Sequence, residues 1–549
     1  MVDESREKTR LLRMALSRRE WLCGTAAIGF GASIGGMALV STKNAFAAEG
    51  AKPVRGGTLS FNMGNDPPNL DLLSNTTSTV LNAVAPCYNG LVQFDPLNAD
   101  KIIGDLAESW DVSSDGKSYT FKLHKGVKFH DGKPMTSADV KYTFDVTRNP
   151  PAGIVSARQA VLSVVESIET PDDLTVRFIL KRPSPSLIAN LCPNYFSVLP
   201  KHVLEKGPMK DVVVGTGPYL FRSYSRGNSI ELVRNPNYHV KDRPYLDGIK
   251  IYIVPDQATV LSYFRSGQLN FFDSMEANLA RQVEKDMKGK ADIQAVPSTN
   301  AIGLHFNTKV KPWDDIRVRK AVALAVDREA AVAVNFQGEA TLGGMTPPTG
   351  PWRLDDKTLH AIQGFAPKLA PGANAEARKL LAEAGFPNGF STRLVVRRDD
   401  RFGPWGVFLK DQLAKVGIDV KLDMQEPAVY SDSQKKKSYD LHGGNLSIAL
   451  DDPDAAFGNQ VVCDASGNLS QICDPSIDQL FARQSETLDA AERKKLANQL
   501  ETKVLSEYLV YPVAYSFRFQ ATRSEVHDCR LHAQTNNNRR MQDVWISKA

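Results

Sequence analysis

The stretch from Asp105 to Thr147 constrains the fold more than any other part of this chain of 549 residues. Its Asp115-Gly116 and Asp131-Gly132 pairs favour tight turns, because such turns need residues that tolerate positive φ. Between them, apolar and polar residues alternate over 119–124, which predicts a strand with one buried face. Thr136 then begins a pattern typical of a helix N-cap. The stretch therefore predicts a hairpin, a second turn and a capped helix.

Strand and helix patterns alternate along much of the remaining chain. Residues 249–253 alternate as a strand, Asp256 caps a helix that ends at Gly267, and a further strand follows at 269–272. The alternation of strand and helix patterns is interrupted at 297–300, and a new strand is predicted after it, over 302–307. Later strands and helices continue to alternate, including a helix predicted over 408–416, and this order predicts a mostly parallel sheet.

Composition and charge are those of a globular protein that does not bind a polyanion. Apolar content of 42% and charged content of 23% are those of an ordinary globular protein, and the length predicts three to five compact units. Most of the net charge of +5 comes from residues 1–47, so the remainder is almost neutral. A nearly neutral chain argues against a polyanion partner such as DNA.

The first 47 residues have the composition of an export signal. Arg18-Arg19 precedes an apolar, glycine-rich run over 23–40, and Ala45-Phe46-Ala47 gives an A-x-A cleavage pattern. The paired arginines resemble a twin-arginine signal, while a membrane anchor is the alternative because the run almost reaches spanning length. We therefore predict that residues 1–47 are a cleavable twin-arginine signal peptide.

The cysteines of the exported chain are expected in an oxidising compartment. Cys463 and Cys473 enclose a loop of glycine, asparagine and serine with little apolar content, which predicts a disulfide between them. Their spacing does not fit a zinc site, and no histidine lies near. Buried free thiols remain the alternative for Cys87, Cys192 and Cys529.

Several stretches together resemble one family. The sequence of residues 105–147 closely resembles the identifying stretch of the bacterial extracellular solute-binding proteins of family 5, which serve ABC importers of dipeptides, oligopeptides and nickel. The resemblance runs from about residue 55 to about residue 525, in the family's order. It also rests on four further stretches, at 215–221, 235–238, 243–247 and 306–328.

This resemblance implies an α/β fold, the two-lobe periplasmic binding protein type II fold (cluster C), with an extra subdomain inserted in lobe 1. The strands that cross between lobes are expected near 298–300, and the ligand between the lobes. The implied boundaries are 48–95 with 214–299 and 517–549 for lobe 1, 96–213 for the inserted subdomain, and 300–516 for lobe 2.

The family also implies where ligand contacts lie. A crevice-lining loop follows its first strand, so Asn65, Asp66 and Tyr88 are candidates in lobe 1. The alternative is that the Asn-Asp-Pro-Pro sequence is only a turn. In lobe 2, Arg397 or Arg398 matches an arginine that grips a peptide carboxylate, since guanidinium offers two parallel donors. A solvated arginine pair beside two aspartates is the alternative.

One departure bears on the ligand. Peptide binders of the family hold the ligand's amino group with an aspartate, and the matching position here is Ala449, which cannot balance an ammonium. Asp451 could replace it only if the loop is shifted. Trp405 and Asn445 are further candidates, for stacking and hydrogen bonding. The departure favours a small carboxylated or polar solute over a dipeptide with a free amine.

The resemblance thus implies the periplasmic substrate-binding component of an ABC importer, a monomer that delivers its solute to an inner-membrane permease. No cofactor, bound metal or nucleic acid is expected, and the chain carries none of the common catalytic motifs. His124 and His130 are interpreted as surface residues rather than a metal pair. The alternatives are a nickel-chelate or haem carrier of this fold, a secreted enzyme, or a chaperone-like protein.

Overall fold

The computed structural model describes residues 52–75, 77–99, 101–154, 156–399, 401–448, 450–534 and 539–547. The predicted signal peptide and Ala449 therefore lie outside the described residues. Lobe 1, the inserted subdomain and lobe 2 denote the predicted ranges, whose boundaries stay a prediction.

Residues 105–147 fold as the sequence predicts. Strands Ala107–Val112 and Ser118–Leu123 form the hairpin, and Gly116 and Gly132 have φ of +66° and +85°. Thr136 caps the helix Ser137–Arg148 through a capping box, in which Asp139 accepts the Thr136 amide at 2.9 Å. The hairpin, second turn and capped helix are confirmed.

The strands are numbered in chain order. They are β1 Thr58–Met63, β2 Val92–Phe94, β3 Ile102–Gly104, β4 Ala107–Val112, β5 Ser118–Leu123, β6 Val165–Asp172, β7 Thr175–Leu180, β8 Tyr219–Ser225, β9 Ser229–Arg234, β10 Gly248–Ile253, β11 Phe271–Met275, β12 Ala291–Phe306, β13 Ala340–Leu342, β14 Phe390–Arg397, β15 Ile418–Gln425, β16 Leu441–Ser447, β17 Val510–Arg523, β18 Val526–His527 and β19 Trp545–Ile546.

The helices are numbered in the same way. They are α1 Ser78–Val84, α2 Ser137–Arg148, α3 Leu187–Leu191, α4 Lys201–Leu204, α5 Gln257–Ser266, α6 Ala277–Asp286, α7 Ile316–Ala325, α8 Arg328–Phe336, α9 Asp356–Ala361, α10 Ala373–Glu383, α11 Phe402–Ala414, α12 Pro427–Lys436, α13 Pro453–Phe457, α14 Pro475–Glu486 and α15 Ala490–Ser506.

One large sheet runs through both lobes. Its strand order is β15-β14-β16-β12-β17-β11-β1-β10-β9-β8, and β13 also pairs with β17. Strands β12 and β17 pair antiparallel over most of their length, from Ala291 opposite Arg523 to His305 opposite Val510. The inserted subdomain has its own four-stranded sheet, β4-β5-β7-β6. The two lobes are therefore joined by two long strands that both of them share.

The apolar cores follow this layout. Trp313 and Trp405 are fully buried in the core of lobe 2, Phe121 and Phe178 in that of the inserted subdomain, and Phe61 in that of lobe 1. A further apolar cluster lies under α5 and α6 beside β11 and β17. Within the described ranges, no helix combines the length and apolar character needed to span a membrane.

Three local predictions were wrong in detail. The strand expected after a reset at 297–300 is one continuous strand, β12, from Ala291. The helix predicted from 408 begins at Phe402, because Asp399 Oδ1 accepts the amides of Arg401 and Phe402. The sheet predicted to be mostly parallel is mixed: among its described strands four pairs are parallel, including β1 with β10 and with β11, and six pairs are antiparallel. Strand pairing and helix capping determine these features, and hydrophobic periodicity in the sequence does not predict them.

Candidate functional site

Strand directions place a cleft at the middle of β12. In lobe 1, β12 runs parallel to β11 because both are antiparallel to β17, and the end of β11 at Met275 lies level with Ala295. In lobe 2, β12 is antiparallel to β16, so Asn300 lies opposite the carboxyl end of β16 at Ser447. The carboxyl ends of the parallel strands in both lobes therefore face each other across 296–300. Such edges are where α/β sheets bind ligands.

The crossing strands are irregular at this level. The register of β12 against β17 shifts between Pro297 and Ala301, so three residues of β12 face one residue of β17. Within this bulge, Ser298 Oγ lies 3.4 Å from Ser516 Oγ and accepts the amide of Asn300 at 3.2 Å. The predicted crossing at 298–300 therefore coincides with a β-bulge in a continuous strand.

Two arginines lie over the Phe402 ring at the carboxyl end of β14. The guanidinium carbons of Arg397 and Arg401 are 4.9 and 5.4 Å from the ring centre. Arg397 Nε donates to Asp399, which also caps α11. Nε and Nη2 of Arg401 are buried and have no hydrogen-bond partner in the described chain. Burial and the adjacent Arg397 lower the pKa of Arg401.

A buried guanidinium without acceptors is costly, because it loses its hydration and gains nothing in return. Arg401 was missed from the sequence, where it is only the last of several charged residues before an apolar helix. Gln425 was also missed: it lies opposite Arg397 on β15, and its Oε1 is buried without a partner in the described chain.

The neighbouring Arg398 has a different environment. Its side chain is exposed and forms an ion pair with Glu426 at 3.2 Å. It also donates to the carbonyl of Met424 at 3.1 Å. Arg398 follows the end of β14 and bonds to Met424 and Glu426, whereas Arg397 bonds to Asp399, so the two side chains have different surroundings.

Asn445 also lies near the carboxyl edge of the lobe 2 strands, whereas the Trp405 side chain does not reach that edge. Asn445 lies on β16 opposite Ile302, and its Oδ1 is buried without a partner in the described chain. The Trp405 ring is fully buried against Phe408, and its Nε1 donates to the carbonyl of Gly303 at 3.2 Å. In this structure Trp405 is a core residue of lobe 2 that packs α11 onto the sheet.

The three candidate residues of lobe 1 also lie in different environments. Asn65 is exposed in the loop after β1, at the cleft edge. Asp66 accepts the Tyr224 hydroxyl at 2.6 Å and the Gly227 amide at 3.0 Å, and these hydrogen bonds lower its pKa. It thus ties the loop to the β8–β9 hairpin. Tyr88 is 1% exposed in the lobe 1 core, and burial raises its pKa.

The acidic loop after β16 contains three aspartates in different environments. Asp452 forms two hydrogen bonds with Arg493, at 2.8 and 2.7 Å, and both side chains are buried. Asp454 accepts from Ser485 at 2.5 Å and from other donors. Asp451 packs against Gly350, where an added Cβ would lie 1.8 Å from its Oδ2. Asp452 and Asp454 are therefore engaged by donors of the protein itself.

Cysteine and histidine side chains are the usual ligands of zinc in proteins. Cys463 and Cys473 form a disulfide, and Cys87, Cys192 and Cys529 are buried free thiols. In the described part of the chain, no group of three or more histidine, cysteine or acidic side chains is arranged to hold a metal ion.

Comparison with known proteins identifies the relatives. The model of the bacterial extracellular solute-binding proteins, family 5 (middle), matches residues 101–468. The glutathione-binding protein of Pectobacterium atrosepticum is 30% identical over 434 residues, covering 76% of this chain and 81% of that protein.

Two solved structures share the fold. A periplasmic binding protein from Agrobacterium tumefaciens R10, in complex with agropinic acid, has a TM-score of 0.73 and 27% identity, covering 90% of this chain and 99% of that one. A periplasmic binding protein from Helicobacter pylori, associated with an ABC transporter and bound to the peptide STSA, has a TM-score of 0.72 and 26% identity with the same coverage. The predicted type II fold is confirmed.

Proposed function

Because the chain belongs to the bacterial extracellular solute-binding proteins of family 5, we propose that it captures a small carboxylated solute between its lobes for an ABC importer. The observation that carries this proposal is the geometry of the cleft, where the carboxyl edges of both lobes face each other across β12 and β17. A solute bound there contacts both lobes at once, and the loaded protein delivers it to an inner-membrane permease.

The carboxylate preference rests on the arginine pair over Phe402. Arg401 offers buried donors that have no acceptor among the described residues, and Arg397 is beside it. A peptide and an organic acid both present a carboxylate, which is planar and accepts two parallel hydrogen bonds from a guanidinium. We therefore assign Arg397 and Arg401 as the carboxylate site, with Gln425 and Asn445 as polar contacts beside it.

The acidic loop supports a ligand that needs no ammonium site. Asp452 and Asp454 are already engaged by protein donors. Asp451 is confined by Gly350, and the family's amine-binding position is Ala449. A carboxylate for a free amino group would require this loop to move, so a solute with a blocked or absent amine fits the arrangement better.

Capture works through the two-state equilibrium of the lobes. A solute shifts the protein to the closed form only by as much as it binds that form more tightly. The β-bulge at Ser298–Asn300 is the proposed hinge, since the ladder is already interrupted there. The predicted lobe boundaries, which meet at this point, form part of this proposal.

The test uses calorimetry with a matched set of ligands. N-acetyl-alanyl-leucine has a blocked amine, and alanyl-leucinamide has a blocked carboxylate. We expect the first to bind and the second to fail. Arg401→Gln should weaken binding of the first by about 10- to 150-fold, because a hydrogen bond to a charged group contributes about 1.5–3 kcal/mol.

Arg398→Gln is the control, because its ion pair with Glu426 is exposed, and it should change affinity less than threefold. Tight binding that survives Arg397→Gln combined with Arg401→Gln would exclude the assigned site. Native mass spectrometry of the purified protein identifies any co-purified solute, and conversion of that solute into a product would instead support a secreted enzyme.

Export and assembly are further parts of the proposal. Members of this family are extracellular or periplasmic binding proteins. Arg18-Arg19 and the A-x-A sequence at 45–47 favour export by the twin-arginine route followed by cleavage. The chain is proposed to act as a monomer in the periplasm.

A further inference from the structure

A short hydrogen bond joins the inserted subdomain to lobe 2. Ser186, at the start of α3, donates its hydroxyl to Asp454 Oδ2 at 2.6 Å, across 268 positions of sequence. Ser186 is 2% exposed. The contact lies just beyond the cleft, because the chain segment that leads to Asp454 begins at Ile448, whose amide donates to the Thr299 carbonyl of the crossing strand.

The two carboxylate oxygens of Asp454 bond to different parts of the protein, one to lobe 2 and the other to the inserted subdomain. Oδ1 accepts Gln484 Nε2 at 2.6 Å and Ser485 Oγ at 2.5 Å, both from lobe 2. Arg493 lies 3.5 Å from the same oxygen and is itself held by Asp452. The carboxylate is thus oriented by its own lobe, and Oδ2 is presented to the inserted subdomain.

Ser186 is also held in place by its own subdomain. Tyr119 donates its hydroxyl to the Ser184 carbonyl at 2.8 Å, and the hydroxyls of Ser184 and Ser186 lie 3.3 Å apart. Leu488 of lobe 2 packs on the hairpin turn, where a Cβ added to Gly116 would be 2.6 Å from its Cδ2. Both partners are therefore positioned before they meet, which reduces the entropy lost on contact.

We propose that the Ser186–Asp454 hydrogen bond is an interlobe catch that stabilises the closed form and so sets the affinity for solute. This inference rests on the proposed function, since affinity here includes the free energy of closure. When the lobes separate, each partner exchanges a preformed, buried hydrogen bond for water. The bond involves a charged acceptor, so its loss should reduce the ratio of closed to open protein by about tenfold.

The experiment measures closure without any solute. The protein is unfolded, dialysed free of ligand and refolded, with cysteines introduced as Arg182→Cys and Glu486→Cys. These two side chains face each other across the same interface as an exposed pair 3.9 Å apart, so replacing them costs little. A short bis-maleimide then links the lobes only when they are closed. The native free thiols are buried and do not compete.

Ser186→Ala is compared with Ser137→Ala, which removes an equally buried serine hydroxyl bonded within the same subdomain, to the Asp172 carbonyl at 2.7 Å. If ligand-free protein is mainly open, Ser186→Ala should slow linking about tenfold. If it is mainly closed, the variant should instead increase the radius of gyration in small-angle scattering. Ser137→Ala should change neither measurement.

A Ser186→Ala protein that is linked at a rate within twofold of the wild type and has the same radius of gyration would overturn the catch. So would an equal effect of Ser137→Ala, since the change would then reflect general loosening of the subdomain. Neither outcome depends on solute binding. Failure of the proposed function would appear separately, in the calorimetry with the blocked dipeptides.

Discussion

Arg493→Met should be among the most destabilising single changes in lobe 2. Arg493 makes two hydrogen bonds to Asp452, and the exposed fractions of the two side chains are 4% and 5%. Methionine retains much of the volume but leaves the Asp452 carboxylate buried without its cation. Breaking a buried pair in this way costs about 3–5 kcal/mol, which would lower the urea midpoint of unfolding by about 1–2 M.

The pH dependence of this loss tests its electrostatic cause. Burial raises the pKa of Asp452, and Arg493 opposes that rise. Without Arg493 the pKa of Asp452 rises further, so the carboxyl is protonated at a higher pH and its burial then costs less. The difference in unfolding free energy between wild type and Arg493→Met should therefore be smaller at pH 5 than at pH 8.

A matched exposed pair provides the comparison. Arg265 and Asp286 are 42% and 40% exposed, so Arg265→Met should cost less than about 1 kcal/mol and show little pH dependence. An Arg493→Met loss as small as this, or one that is equal at pH 5 and pH 8, would refute the argument from an uncompensated buried charge.

Three further predictions concern stability. Cys463→Ser with Cys473→Ser should cost about 2–3 kcal/mol in unfolding free energy, because the disulfide closes a loop with a sequence separation of 10. Burial lowers the pKa of His305 to about 4, so protonation of His305 should cost about 3 kcal/mol of stability as pH drops from about 6.5 to about 4, and His305→Phe should lose less stability than the wild type over that range in urea titrations. Burial raises the pKa of Glu501 to about 7, so ionisation of Glu501 should cost stability as pH rises from about 4.5 through 7, and Glu501→Gln should lack this loss. Because the two contributions oppose each other in the wild type, each is read from the difference between variant and wild type, and a difference that is the same at every pH would contradict that prediction.

Local signals in the sequence predicted the features they determine. The Asp-Gly pairs and the Thr136 cap specify the hairpin and α2, because turn and cap chemistry act over a few residues. The Cys463–Cys473 pairing was predictable for the same reason, since its partners are close in the chain.

Long-range features were not predictable in this way. Trp405 reads as a candidate for stacking on a ligand, yet its position on the inner face of α11 buries it under the sheet. Within the described residues, Nε and Nη2 of Arg401 lack a partner because no neighbouring acceptor reaches them, and residue spacing in the sequence does not predict this. The Ser186–Asp454 contact joins segments too distant in sequence for any periodicity to connect.

The central place of β17 also has a consequence for biosynthesis. This strand lies between β12 and β11 in the shared sheet, although it begins only at Val510. A nascent chain on the ribosome has nearly all of its other strands before this one emerges, so β11 and β12 wait with open edges. Both lobes therefore acquire their final sheet late and almost together, and a chaperone that shields unpaired strand edges during synthesis would act on this protein until translation is nearly complete.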